Sequence, residues 1–549
     1  VTNITENKKQ ESELLRLKDG IETLPNGLMF WDENDNLIAF NKSSQNLTEY
    51  YGLTLKIGMN GDVKSPNFAK HSGNSVVQYG GLVAEALVDY DKQCNMVPGL
   101  AHKWEISPDA KAVTYHLRKG VLFHNGRELT ADVVKKNVEW RLNKKNKSRS
   151  RNRFRRSGVK SMTVVDKYTI RFNLKKPSVA FFNLMEQRKA HILDPDSLNS
   201  KPPHPIGTGP FKFVEWKPSQ YMKMVRFDKY WKKDKKGNRL PYVDTVLVKP
   251  IKDATTRFLA LKSGDIDWSY GIPFDQIPEI RKNKPDWIKP QIEAGARWIF
   301  MHIQQSKKQN GPLRNKKVRQ AVAHAIDKKE ILQGLTWGIA SVENQIFPPG
   351  HKWYHKNIPD PYAKPNVKAA KKLLAEAGYK NGVTLSMLVR NQTDHVDFAT
   401  LVQAQLKKAG IKVVFKVLDY AAHRKVIRNP KGWDLSVGHY SFQPDPHWRY
   451  RSLLNSKSRT NYGKWKNKEA DKLWAKADTV SDYKKRLAIY RKALLILNED
   501  VGKIFIGHMP NAKASRKGLN NYVSNCQGDT RWASGGAAHA WFANGKDSK

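Results

Sequence analysis

Cysteine is almost absent. The 549 residues hold two, Cys94 and Cys526, far apart and in no CxxC spacing, which excludes a thiolate zinc cluster and leaves either one disulfide or two separate thiols. Long apolar runs are missing too. Nothing approaches the roughly 18 uninterrupted apolar residues that span a bilayer, and Val1 to Gln10 lack the apolar core of an export signal. The chain as given reads as soluble, with a leader or lipid anchor ahead of Val1 left open. Catalytic signatures are wanting as well. There is no GxSxG nucleophile elbow, no HExxH zinc helix and no GxxxxGKS/T phosphate loop, so neither an enzymatic activity nor a cofactor is expected. Acid is scarce against base: 51 Asp and Glu face 97 Lys and Arg, a net charge of +46.

That imbalance raises nucleic acid as a partner, and Asn143 to Ser157, NKKNKSRSRNRFRRS, looks like a basic arm. Most lysines, however, stand singly or in pairs on helical patterns such as AAKKLLAEAGY, opposite Leu373 and Leu374. The basic run carries one aromatic residue, Phe154, where a single-strand binder needs several stacking platforms. The charge therefore reads as a solvated surface, with an anionic surface or polymer as the functional alternative and no specific nucleic acid expected.

What is present is dense local patterning. In Pro98 to Asp132, Val113, Tyr115 and Leu117 alternate with Thr114, His116 and Arg118, the period of a half-buried strand. Asn125-Gly126 supplies a turn, and Thr130 can cap a helix with Asp132 in its first turn and Val134, Val138 and Leu142 as its buried stripe. From Asp62 onward strand and helix patterns alternate between Pro and Gly punctuation, an α/β signature. The length exceeds the roughly 250 to 300 residues at which one core stops growing, so two or more lobes are expected.

The Pro98 to Asp132 segment closely resembles the signature of the family 5 solute-binding proteins of ABC importers, the group containing the peptide- and nickel-binding receptors. Further blocks carry the resemblance: Tyr79 to Asp91, His204 to Phe213, Arg226 to Asp267, Asn315 to Leu332 and Ala369 to Tyr379. The resemblance implies an α/β, two-lobed periplasmic-binding-protein fold of the large type II-like form, with a ligand cleft between the lobes that closes on its ligand. It places a first lobe at 62–275 with an extra subdomain at about 80–195, a second lobe at 276–504, and a return to the first lobe at 505–549. The outward crossing is expected near Tyr270 to Gln276 and the return near Asp500 to His508. It further implies a monomer, in the periplasm or lipid-anchored at the outer face of the membrane, that captures a small solute and delivers it to a permease in the inner membrane.

The same resemblance points to pocket residues. Trp433 to Tyr450, WDLSVGHYSFQPDPHWRY, corresponds to the segment that lines the pocket and ends in an acidic residue before Pro, here Asp445-Pro446; Tyr440 and Phe442 precede it. Peptide receptors of the family often place an aspartate three residues earlier to meet the peptide's amino terminus. That place is Phe442 here, which removes the expected partner of an ammonium group. The loop Leu335 to Tyr354 adds Trp337, Gln345, Trp353 and Tyr354, flat apolar walls with polar handles. A di- or oligopeptide is the expected ligand, with sugars and opine-type solutes kept open by Phe442. His351 and His355 have metal-like spacing, but Pro348, Pro349 and Gly350 put them in a loop, so no metal is expected. Asp265 and Asp267 read as alternate positions on one strand face and as structural.

Residues 1–61 follow another pattern: a charged helix with Leu14, Leu15, Leu17 and Ile21, then LMFW and LIAF joined by a turn at Asp32 to Asn36. This resembles the opening of a PAS sensor domain, too short to close its own sheet. A PAS-linked sensory binding protein is the alternative reading.

Overall fold

The structure is a computed structural model that describes residues 29–31, 37–40, 53–71, 74–179, 181–186, 190–441, 443–525 and 536–542. Of the N-terminal hairpin, Met29–Trp31 and Leu37–Phe40 pair antiparallel. The charged helix expected before them, the turn between them and most of the PAS-like segment lie outside the described residues; the segment's end, Thr54–Met59, is a strand of the first lobe paired with Thr245–Pro250 and Trp268–Ser269, so that lobe begins before residue 62.

One sheet runs through the body. Its strand order is Phe211–Lys217, Tyr221–Arg226, Thr245–Pro250, Thr54–Met59, Trp268–Ser269, Ile504–Arg516, Ile288–Ile303, Leu435–Ser441, Val383–Arg390 and Ile411–Leu418. The two strands at its middle are the longest, with 16 and 13 residues. They pair antiparallel along their length, from Ile288 opposite Arg516 to Met301 opposite Ile504. Their outer ends belong to different cores. Ile288, Ala512 and Ala514 pack with Phe258, Leu261, Ile277 and Ile280, whereas Ile299, Met301, Ile504 and Ile506 pack with Val322, Leu385 and Val402. The fold is thus two-lobed, and these strands carry the chain between lobes.

The passage occurs inside the strands, near the register break between Glu293 and Arg297. The loop at Tyr270 to Gln276 precedes it, and the helix Gln276–Asn283 still packs in the first lobe's core through Ile277 and Ile280. The crossing therefore falls later than the sequence suggested, since a strand that continues from one lobe to the next shows no break in its apolar pattern. The end of the chain returns to the first lobe, where Leu519, Tyr522 and Phe542 pack with Leu55, Ile57 and Trp268.

A subdomain stands on the first lobe as a four-stranded sheet, Ala101–Ile106, Ala112–Leu117, Thr169–Leu174 and Val159–Asp166. Val113, Tyr115 and Leu117 fill its core, as their alternation requires. Thr130 Oγ1 accepts the amide of Val133 and caps the helix Ala131–Leu142, whose Val134 and Val138 are buried. The basic run forms a short helix, Arg151–Arg156, pinned by the fully buried Phe154. The GTGPF turn fits its expected role: a Cβ on Gly207 would lie 2.1 Å from the Val83 carbonyl oxygen, so the approach admits only glycine there. Cys94 is buried and disulfide-bonded; Cys526, the sequence's other cysteine, lies outside the described residues.

Candidate functional site

Where the long strands pass between lobes they border a cavity of about 290 Å³. Asn60, Tyr270 and Phe274 come from the first lobe, Arg297 and Ser441 from the second, and Asn511, Ala512 and Lys513 from the returning strand. Local folding fixes these groups. Arg297 and Ser441 face each other in register on paired strands. Tyr270 is held by its amide on the Gly58 carbonyl, 2.9 Å. Arg257 staples the wall behind, donating to the carbonyls of Ile251, Lys252 and Asp253 and, at 3.1 Å, to Gly271. Lys513, almost wholly buried, lies 5.3 Å from the Tyr270 ring centre and 5.7 Å from that of Trp268, and donates to Ser524 Oγ at 2.5 Å.

Above Ser441 the rim is aromatic and basic. Tyr440 packs on Phe300, 5.0 Å between ring centres, with the Arg449 guanidinium 5.7 Å from its ring. Burial pushes the Tyr440 hydroxyl up to about 12, with Tyr462 adding and Arg449, Arg390 and Arg424 opposing. Arg390 and Arg424 lie 5.0 and 5.6 Å from the Tyr420 ring. The subdomain meets this rim: Arg153 Nη1 donates to Gln443 Oε1 at 3.1 Å. The amide of Val179 also donates to the Asp478 carbonyl, 3.1 Å, so the lobes touch.

The comparisons with known proteins agree with this geometry. Residues 95–462 match the model of the bacterial extracellular solute-binding proteins, family 5 Middle. The chain belongs to family 5 of the bacterial extracellular solute-binding proteins. It is 30% identical to the oligopeptide-binding protein AppA of Bacillus subtilis over 86% of this chain and 89% of that one. It is 27% identical to the glutathione-binding protein GsiB of Pectobacterium atrosepticum over 80% of this chain and 85% of that one. The solved structure of the periplasmic binding protein DppA of Helicobacter pylori, in complex with the peptide STSA, superposes with a TM-score of 0.72 at 26% identity, covering 90% of this chain and 99% of that one. As a family 5 protein the chain is a solute-binding receptor of an ABC importer, and among its described residues no helix is long and apolar enough to cross a membrane.

The residues expected to line a family 5 pocket divide. Tyr440 stands at the rim beside Ser441; Phe442 lies outside the described residues. Asp445 is buried and both its oxygens are taken by Arg486, at 2.5 and 2.7 Å, while Oδ1 also accepts the His447 amide. The aspartate ties helix Tyr483–Glu499 to helix His447–Leu454 and has no oxygen turned to a ligand's ammonium. Gln345 is likewise buried, closing a two-way bond with the His355 backbone. Trp353 packs in a second-lobe core against Tyr490 and the Arg486 guanidinium. Tyr354 donates to Glu343, and Trp337 is exposed at the end of helix Lys328–Thr336 with φ of 53°. None of these four lines the cavity. His351 accepts the Trp353 amide and stacks on Phe347. Asp265 and Asp267 precede their strand instead of alternating within it; Asp267 is buried on the Lys56 amide and Asp265 exposed.

Sequence reasoning missed Arg297, Lys513, Arg153 and Tyr270. Arg297 carried a signal, a lone cation in the otherwise small and apolar run AGARWIF. One cluster among the described residues has metal-like composition: Asp394 bridges His395 Nδ1 at 2.9 Å and His439 Nε2 at 3.0 Å. Arg297 acts electrostatically on His439 and opposes a cation there.

Proposed function

We propose that this family 5 receptor captures a di- or oligopeptide in the cavity between its lobes, closes about the two long strands, and presents the closed form to a permease in the inner membrane. The observation that carries the reading is the cavity's position: its walls come from both lobes, so a ligand there is sensed by both. Its size, about 290 Å³, is at the small end of the roughly 300 to 1,000 Å³ of ligand pockets, which favours a short peptide over a long one. AppA and GsiB, the relatives above, are named for an oligopeptide and for glutathione, itself a short peptide. The receptor acts as a monomer in the periplasm or anchored by lipid at the outer face of the membrane, performs no chemical step, and has no specific nucleic-acid partner.

Native mass spectrometry of gently purified protein, followed by denaturation, tests this. A co-purifying peptide mixture is expected. A single saccharide in the cavity would overturn the peptide assignment and leave a receptor for another solute. Small-angle scattering with and without the released ligand is expected to show contraction; superimposable profiles would overturn closure.

A further inference from the structure

The basic run Asn143 to Ser157 holds eight lysines and arginines and no acid, and no acid occurs between Glu139 and Asp166. It is not a loose arm. Phe154 is buried in the subdomain core, Ser148 Oγ donates to the Ala69 carbonyl at 2.9 Å, the Arg149 amide donates to the Lys70 carbonyl at 3.1 Å, and Arg151 Nε donates to the Leu142 carbonyl at 2.8 Å. With the backbone so fastened, Lys144, Lys145, Lys147, Arg149, Arg155 and Arg156 stand exposed, and among the described residues none of these six forms an ion pair with a carboxylate. Other segments extend the field. Lys64 and Lys70 are exposed beside the run, and burial together with Arg149, Lys70 and Lys64 holds the His71 imidazole below its usual value, which places the three cations on one patch. Across the gap, the exposed Arg424 donates to the Tyr420 hydroxyl at 2.8 Å and, against burial and with Arg390 and Arg149 helping, holds it below its usual value. Apolar groups flank the charge. The strand that follows the run, Val159–Asp166, is the outer strand of the subdomain sheet and leaves Val164 and Val165 37% and 58% exposed, and Tyr420 is 54% exposed.

We propose that this patch rests on an anionic membrane surface, its cations meeting lipid phosphates while Val164, Val165 and Tyr420 lie at the level of the headgroups. The charge and its placement carry the inference; that a membrane lies within reach rests on the function proposed above. Bases at 144 and 145, and at 155 and 156, are neighbours in helical turns and so point apart around them. They make a broad field and not a cup for one small anion. Such a field attracts a charged sheet, with each base near the surface adding about fivefold to the partition, and apolar side chains beside it enter the boundary between headgroups and acyl chains. Nucleic acid fits less well, because the run's one aromatic ring is buried and cannot stack on a base. Held on the outer face of the inner membrane, a receptor meets its permease by a search in two dimensions.

Flotation of the full chain with lipid vesicles at physiological salt tests it. One set of vesicles is phosphatidylcholine alone and the other roughly one part phosphatidylglycerol to two of phosphatidylcholine; partition onto the mixed vesicles is expected to be at least about tenfold stronger. Lys144→Gln, Lys145→Gln, Arg155→Gln and Arg156→Gln combined are expected to weaken it by at least about a hundredfold. Lys371→Gln, Lys372→Gln, Lys407→Gln and Lys408→Gln combined remove the same charge from exposed positions on the second-lobe helices Val367–Glu376 and Thr393–Lys408. That variant controls for attraction by the overall +46 charge and is expected to lose less than about threefold. Val164→Ser with Val165→Ser is expected to cost about tenfold on the mixed vesicles. Equal partition onto both kinds of vesicle, flotation with neither, or equal losses in the two fourfold variants would overturn the proposal. Binding of a single-stranded oligonucleotide that needs the four bases of the run, with no flotation, would overturn the membrane and give the run to nucleic acid. The peptide is tested apart from this, by co-purification, since the vesicles carry none.

Discussion

Arginines in the two cores and arginines at the cleft use the same guanidinium in opposite ways. In the cores the guanidinium groups are held by acceptors inside the protein. Arg486 holds Asp445 through two bonds, and Arg319 pairs with Asp500 at 2.7 Å while donating to the carbonyls of Leu313 and Arg314. Arg141, buried without an acid, is cradled by the carbonyls of Asn137 and His191 and by Asn137 Oδ1, and burial brings it down to about 10. At the cleft, Arg424 is exposed and donates to the Tyr420 hydroxyl at 2.8 Å, and Arg390 lies 5.0 Å from the same ring. The difference teaches that a net charge of +46 says little by itself. What gives a cation structural weight is how deeply it is buried and what answers its donors.

Breaking the core side of this comparison has the largest expected effect. Arg486→Met strands the Asp445 carboxylate in the protein interior, where removing one member of a buried pair costs about 3 to 5 kcal/mol. Urea unfolding is expected to show that loss. The double variant Asp445→Asn with Arg486→Met is expected to regain much of it, since no buried charge is then left alone. Arg297→Met, cut from the cleft side, is expected to shift stability by less than about 1 kcal/mol, because no internal partner is abandoned. Equal losses for Arg486→Met and Arg297→Met would erase the distinction.

Two buried charges break the core pattern and sharpen it. Glu85, fully buried, accepts bonds from Thr208, Tyr230 and Trp231 at 2.8 to 3.0 Å, yet burial raises its carboxyl to about 7. Lys503, on the other side of the molecule's long strands, meets His302 Nδ1 at 2.9 Å and the face of Phe300, and burial lowers it to about 7. The signs oppose. The Glu85 contribution is fully present below its unfolded value near 4.5 and is lost as pH rises through 7. The Lys503 contribution is present above its unfolded value near 10.5 and is lost as pH falls through 7. Together they place a stability minimum near neutrality, with limbs of up to about 1.4 kcal/mol per pH unit. Unfolding midpoints at pH 5, 7 and 9 are expected to trace it; Glu85→Gln flattens the acid limb and Lys503→Met the alkaline one. A single maximum at pH 7 in the unaltered protein would contradict both assignments.

Local structure and family were legible in the sequence, and the site was not. Thr130, Asp132 and the Val134 and Val138 stripe announce their helix because capping and periodicity are local. The blocks from Tyr79 to Tyr379 carried the fold. The cavity is built by pairings the sequence does not display. Arg486 lies 41 residues from the Asp445 it neutralises, so the acid looked open to a ligand. Arg153 sits 290 residues from Gln443, inside a run whose composition suggested a basic arm or a solvated face and not a contact between lobes. Trp353 and Gln345 had the chemistry of pocket residues and spend it on packing, since aromatic and amide groups serve a core as readily as a cleft.

The smallest expected effect concerns the arginines gathered at Tyr420. Arg390 and the exposed Arg424 share the Tyr420 ring, 5.0 and 5.6 Å from its centre, and like charges held that near each other repel. Removing that repulsion with Arg424→Gln is expected to raise the unfolding free energy by a few tenths of a kcal/mol, the scale of exposed charge pairs. The gain is expected at low ionic strength and to vanish near 0.5 M salt, where screening reaches only a few ångströms. A core arginine shows neither behaviour. Unfolding curves at two salt concentrations therefore separate the two kinds: a loss of stability on removing Arg424, or a gain that salt does not touch, would mean that this guanidinium is held as the core arginines are.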